Sequence, residues 1–215
     1  MKRKKRRLSV FIMLIVAISL GVAGYRGMYH YDAAKVQQGI AEQIIRFHVR
    51  ANSDSEEDQE LKLLVKDRIV TYLQPLLSRS ESTEESRQIL DSHKEEIRQI
   101  SLETLQEAGS DYDVCVYFEN SYFPMKSYGD VTFPPGEYEA FRVDIGESAG
   151  KNWWCVLYPP LCFVDTSYGV LPDDSKETLK NILTDDEYNA ITNTQYEYRF
   201  KYLTFLNDIL EKLLI

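Results

Sequence analysis

Three cysteines (Cys115, Cys155, Cys162) and three histidines (His30, His48, His93) are the residues from which nucleophilic or metal chemistry would have to be built in this 215-residue chain. Their spacing does not build it. No two cysteines form a Cys-x-x-Cys pair and no histidine stands at ligand spacing, so a zinc centre lacks its donor pattern. A cysteine hydrolase would need His48 beside Cys155 or Cys162 and a third group to orient it. His48 instead lies between Phe47 and Val49, the setting of a structural histidine, and His93 sits between Ser92 and Lys94 on a solvated helix face. No Gly-x-Ser-x-Gly, His-Glu-x-x-His, Walker or Rossmann glycine pattern is present. Carboxylates abound, but an acidic surface supplies those without any acid–base role. The expectation is a protein that is not an enzyme, with no catalytic residue, no metal and no cofactor.

Two other features could carry function. Cys155 and Cys162 flank Pro159-Pro160. If the prolines turn the chain, the sulfurs can meet, and a bridge over so short a loop would stabilise by about 2–3 kcal/mol. If the strand runs straight, seven steps of ~3.3 Å set them roughly 23 Å apart and both stay free thiols. The stretch from Tyr122 to Asp165 is dense in aromatic residues, with Tyr128, Phe133, Tyr138, Phe141, Trp153, Trp154, Tyr158 and Phe163 among five of the seven prolines. Adjacent Trp153 and Trp154 point to opposite faces of any strand, so one can fill a core while the other stays nearer solvent. A half-exposed Trp suits recognition; the competing reading packs both rings inside.

The elements that must position these residues follow from periodicity. Ile44–Ala51 alternates as a strand, with Ile45, Phe47 and Val49 on one side and Ile44, Arg46, His48 and Arg50 on the other. Asn52-Ser53-Asp54-Ser55 breaks it and offers N-cap side chains, and Glu56, Glu57, Asp58 and Glu60 suit the start of a helix. Leu61, Leu64, Val65, Ile69, Tyr72, Leu73 and Leu76 form its apolar stripe, with Pro75 ending or kinking it. A capping box at Ser82-x-x-Glu85 opens a second helix, which runs to Gly109 as its C-cap. From Tyr112 the period becomes two, predicting strands over Val114–Glu119, Met125–Phe133, Glu137–Ile145 and Asn152–Tyr158 with antiparallel neighbours. Residues 185–215 read as a helix with Phe200, Leu203, Leu206, Ile209, Leu210 and Leu213 as its stripe. The fold class predicted is α+β: a mostly antiparallel sheet packed against helices in one domain over residues 44–215.

That body is preceded by an export signature. Lys2 to Arg7 is an unbroken basic run, and Leu8 to Gly24 is an uncharged, mostly apolar stretch of 17 residues. Residues 1–24 thus read as a signal peptide or a signal anchor helix, and 25–43 as a polar juxtamembrane segment. Gly21-Val22-Ala23 is the nearest approach to a cleavage site. The basic end should stay cytoplasmic, so the body faces outward in either case. Residues 1–30 hold seven bases and no acid, which leaves the remainder with 18 bases against 34 acids, a net charge of −16. So acidic a body has no electrostatic reason to bind nucleic acid.

Several uncommon runs occur in a fixed order: Arg46-Phe47-His48-Val49-Arg50-Ala51-Asn52-Ser53-Asp54-Ser55-Glu56-Glu57-Asp58-Gln59, Tyr128-Gly129-Asp130-Val131, Pro135-Gly136-Glu137-Tyr138-Glu139-Ala140, and Asn152-Trp153-Trp154-Cys155 through Pro159-Pro160 to Asp165. Across about residues 40–170 the chain resembles the stage II sporulation protein R family of endospore-forming bacteria. The resemblance implies a protein made in the forespore and exported across its membrane into the space between the two compartments. It implies as partner a membrane-embedded aspartic protease of the mother cell, which the protein would activate to process the pro-sigma-E precursor. It makes Tyr128, Gly129, Asp130, Trp153, Trp154 and Asp165 candidate partner-binding residues. The competing expectations are a membrane-anchored structural or assembly module and an exported hydrolase.

Overall fold

A computed structural model describes Met13, residues 19–21, 33–163 and 169–192. Most of the export segment, His30, Asp165 and the stripe from Phe200 to Leu213 lie outside the described residues, and so do the expectations placed on them. Met13 and residues 19–21 are helical, and no helix among the described residues is long and apolar enough to cross a membrane.

The body is α+β, built around a four-stranded sheet in the order Val114–Phe123, Gly136–Ile145, Ile45–Arg50, Asn152–Tyr158. Helix α1 (33–43) leads into β1 (Ile45–Arg50); α2 (Glu56–Leu77), α3 (Thr83–Ser92) and α4 (Lys94–Glu107) follow. Then come β2 (Val114–Phe123), β3 (Lys126–Tyr128), β4 (Val131–Phe133), β5 (Gly136–Ile145) and β6 (Asn152–Tyr158). A 3-10 turn at Leu161–Phe163 and helices α5 (Asp173–Ile182) and α6 (Asp185–Thr192) complete the described chain.

The expectation of antiparallel neighbours needs one correction. β2 with β5 and β6 with β1 are antiparallel, but the central pair β1 and β5 is parallel, so the sheet is mixed. A parallel pair needs a long crossover, and α2 to β4 supplies it. The predicted strand over Met125–Phe133 is instead a hairpin, β3 against β4, folded at Gly129, whose φ of +60° a side chain would resist.

The helices form for the reasons their sequences state. Ser55 Oγ accepts from Asp58 N at 3.2 Å to cap α2, and Leu61, Val65, Ile69, Leu73 and Leu77 bury its stripe. Leu64, expected in that stripe, faces outward, and the helix passes through Pro75 to Leu77. Pro75 is near enough to the end that only one intrahelical bond is forfeited. The second predicted helix is two. Ser92 Oγ donates to Ile89 O at 2.9 Å and His93 Nδ1 lies 2.7 Å from the same carbonyl. These side chains compete for the backbone and separate α3 from α4. Gly109, at φ +82°, ends α4 as expected. Helix α5 was not foreseen: Leu179 is the one residue of it that is buried, too little to make a period.

Two cores result, one on each side of the sheet. Ile45, Phe47, Val49, Phe141, Val143, Cys155 and Leu157 meet α2, α3 and α4. On the opposite side Phe123, Phe133, Tyr138, Ala140 and Val156 meet Ile40 and Ile44 of the leading segment and Leu171, Leu179, Leu183 and Ile191 beyond the sheet. Among the described residues, that second core lies toward one end of its face.

Candidate partner-binding face

The alternate residues of β1 turn to the second side of the sheet. Register places Arg46 beside Ala140 and Val156, His48 beside Arg142 and Trp154, and Arg50 beside Asp144 and Asn152. Across β5, Arg142 is flanked in turn by Tyr117 of β2. Polar and charged side chains thus run in rows across three neighbouring strands and continue onto the fourth.

Arg46 is completely buried and makes no ion pair among the described residues. Its guanidinium lies 4.4 Å from the Phe123 ring centroid, 5.2 Å from Tyr138, 5.5 Å from Phe133 and 5.8 Å from Tyr128. Four ring faces stand in for the missing carboxylate, and desolvation makes such contacts stronger than at the surface. Burial pushes the Arg46 pKa down and the Tyr128 phenol up.

His48 is only 3% exposed, with its ring stacked on Trp154 at 5.1 Å and edge-on to Phe123 at 5.5 Å. Neither ring nitrogen makes a well-formed hydrogen bond, although the nearby Asn152 side chain favours the protonated ring. Burial first and Arg142 second push its pKa down to about 4, against weaker pulls from Asp144 and Glu119. Beside it Arg142 pairs with Asp144 at 2.8 Å and with Glu119, and its guanidinium lies 5.2 Å from the Tyr117 ring. Tyr117 donates to Asp144 at 2.8 Å, and burial together with that carboxylate raises the phenol to about 12.

The two tryptophans face opposite ways, each half-buried. Trp153 stands edge-on to Phe47 at 5.8 Å on the helix side, with Lys66 over it at 5.2 Å. Trp154 shares the other side with His48, and Lys126 lies 6.0 Å from its ring.

Tyr128, Gly129 and Asp130 form the tip of the hairpin. Tyr128 is half-buried and turned toward Arg46. A Cβ on Gly129 would stand 2.7 Å from Leu171 N. Asp130 accepts from Leu171 N at 2.8 Å and pairs with Lys176 at 2.6 Å. Burial alone would raise the Asp130 pKa; those two partners outweigh it and hold the carboxyl below its usual range. This tip therefore fastens the chain entering α5. The structure brings Tyr128 and Trp154 to one side of the sheet and puts Trp153 on the other. Arg46, Arg142, Tyr117, Asp144 and Lys126 join that side without a role expected of them, and so does His48, weighed above only as a hydrolase base or a structural histidine. The signal that could have found them is the period-two spacing of Arg46, His48 and Arg50, matched by Arg142 and Asp144 and by Tyr117 and Glu119.

The cysteines resolve into a pair and a single. The Cys155 and Cys162 sulfurs are 2.31 Å apart with Cα atoms at 5.7 Å, the spacing of a bridge across the Pro159-Pro160 turn; Cys115 is exposed on β2. Because Cys155 pairs with Phe47 across the strands, it faces the helices, while His48 faces away. The sheet separates the two, so the Cys155–His48 arrangement needed by a hydrolase is not assembled. Among the described residues, the hollows of about 260 to 770 Å³ beside Thr104, Glu139, Gly39 and Pro160 are lined by neither His48 nor a cysteine. Among the described residues no cluster of His, Cys, Asp and Glu could hold a metal ion.

Comparison with known proteins gives concordant findings. The family model for stage II sporulation protein R matches residues 41–168. The chain is 41% identical over 143 residues to "Stage II sporulation protein R" of Bacillus subtilis (strain 168), a match covering 66% of this chain and 64% of that protein. No solved structure matches. The matched region opens at the end of α1, takes in both sides of the sheet and stops before α5.

Proposed function

This chain belongs to the stage II sporulation protein R family, and from that premise we propose that it is an exported intercellular signal of sporulation. In this reading the basic, apolar leader carries an acidic body across the forespore membrane into the intermembrane space. There the body binds a membrane-embedded aspartic protease and favours its active state, and the protease processes the pro-sigma-E precursor. A ligand shifts such an equilibrium only by its differential affinity for the active form, so contact suffices and the signal itself needs no chemistry.

The observation that carries the reading is the family match over the whole sheet-bearing region. The separation of His48 from Cys155 by the thickness of the sheet supports a binding role over a hydrolytic one. The Cys155–Cys162 bridge, which we assign to the mature protein, suits an oxidising space outside the cytoplasm. Trp154 and the residues around it are the contact surface in this proposal, and Trp153 serves the helix-side core.

The test is co-expression of the exported body with the protease and its precursor in a host lacking other sporulation proteins. Precursor cleavage should require the body and its export. Cleavage by a leaderless, cytosolic body, or turnover of the precursor by the purified body alone, would refute the reading.

A further inference from the structure

Beyond the second core, the same side of the sheet carries residues unlike the rest of the surface: Arg50, Trp154 and Lys126 are half-exposed there, while His48 and Asp144 beside them are buried. Arg50, Tyr117, Arg142, Asp144, Asn152 and Trp154 occupy adjoining register positions on this half. Among the described residues their partners come from the sheet itself, from Gly150 in the β5–β6 loop and from Lys126. Arg50 spends Nε on Gly150 O at 3.3 Å and has no carboxylate in ion-pair reach among the described residues. Lys126 leans over Trp154 and is equally unpaired among them. Arg142 is held by Asp144 and Glu119, so among the described residues Arg50 and Lys126 are the cations near the Trp154–His48 stack that make no ion pair. The body beyond residue 30 carries a net charge of −16. An excess of positive charge, interleaved with Trp and Tyr, is the local inversion of that field. Arg, Trp and Tyr are also the side chains that dominate binding energy at protein interfaces.

We propose that this half-face, centred on half-exposed Trp154 and flanked by Arg50 and Lys126, is where an acidic segment of the protein partner docks, its carboxylates meeting the two cations and its apolar side chains the tryptophan ring. The proposal rests on the signalling role above and narrows it by giving the receptor's complementary chemistry. A protein segment is favoured over an anionic lipid surface because the strongly acidic body would be repelled by a continuous sheet of negative charge, whereas a short acidic stretch meets only the inverted patch.

The experiment measures binding of the full chain, and of its R50E, K126E and R50E/K126E variants, to the protease in nanodiscs of neutral lipid, with precursor cleavage scored in parallel. R79E, in the exposed turn that follows α2, a helix packed on the opposite side of the sheet, is the control. Expected are wild-type binding that weakens with salt, an R79E protein indistinguishable from wild type, and affinity and cleavage both reduced about tenfold or more in the double variant. Far-UV circular dichroism and matched denaturation midpoints exclude misfolding as the cause, and a compensating acid-to-lysine change in the partner should restore binding. If the wild type binds and the folded double variant binds equally well, the docking surface is wrong while the signalling role stands. If the wild type neither binds nor activates, the signalling role itself fails. Binding to receptor-free vesicles containing anionic lipid, lost in the double variant, would overturn the assignment in favour of a lipid surface.

Discussion

His48 should make the stability of this protein depend on pH in the mildly acidic range. Its imidazole is buried against Trp154 and Phe123 and titrates in the folded protein near 4, against an ordinary value of 6.5. The unfolded chain therefore takes up a proton at a pH where the folded chain does not. Above about pH 6.5 both states are neutral and the stability is intact; as the pH falls from there toward 4, protonation favours the unfolded state and stability is lost. A separation of two to three pH units corresponds to roughly 3 kcal/mol when complete, and to about 2 kcal/mol by pH 5. His48→Phe removes the titration and keeps a ring on Trp154, and because neither nitrogen is well bonded no strong hydrogen bond is sacrificed. Denaturant midpoints measured at about pH 7.5, 6 and 5 should fall for the wild type and fall less for His48→Phe, the difference growing to about 2 kcal/mol. The readout is the difference in slope, so carboxylates common to both proteins cancel, and any constant cost of fitting the larger ring drops out. Parallel curves for the two proteins would refute the claim that a desolvated neutral imidazole lies under Trp154.

Other outcomes are expected. Reduction of the Cys155–Cys162 bridge, which spans seven positions, should cost about 2.5 kcal/mol in urea unfolding, and C155A and C162A should each behave at least as badly as the reduced wild type; an unchanged midpoint on reduction would exclude the cross-link. Gly129→Ala should destabilise by about 1–3 kcal/mol, because its φ is +60° and its Cβ would press on Leu171 N. Hydrogen exchange should then accelerate across α5, and unaltered α5 protection would show that the tip does not hold that helix. Trp154→Ala should weaken partner binding by about 2 kcal/mol or more, whereas Trp153→Ala should chiefly lower stability; equal effects of the two on binding would dissolve the distinction between the faces.

The elements with strong local signals were legible in the sequence. Ser55 caps α2 as its position promised, and β6 has the limits its alternation gave. What failed depended on distance along the chain or on competition within it. Nothing in Ile45–Arg50 says that its neighbour will run parallel to it, since that is fixed by where β5 arrives some ninety residues later. The three-residue strands β3 and β4 are too short to display a period of their own, so they read as one strand running through Gly129. The break at His93 came from side chains capturing Ile89 O while the apolar spacing continued across it. For the site, Trp154 was visible from composition, but nothing local fixed the surroundings of the charged side of β1. Arg46 is fully buried and His48 nearly so. Burying a cation ordinarily demands a carboxylate, and the aromatic rings that replace it come from β2, the hairpin and β5, segments no local window joins to β1.

The central place of β1 has a bearing on how the molecule can be made. Its two ladder partners are supplied by residues 136–145 and 152–158, so a nascent chain holding only its first hundred residues has helices but no strand for β1 to pair with. Neither core can close until Tyr158 has emerged. Under the proposed export, such late, non-local closure would leave a threading polypeptide without a closed core while it passes a narrow translocation channel. Once the last strand is through, zipping it onto β1 on the far side would make backward slippage costly, turning the act of folding into a one-way catch for delivery.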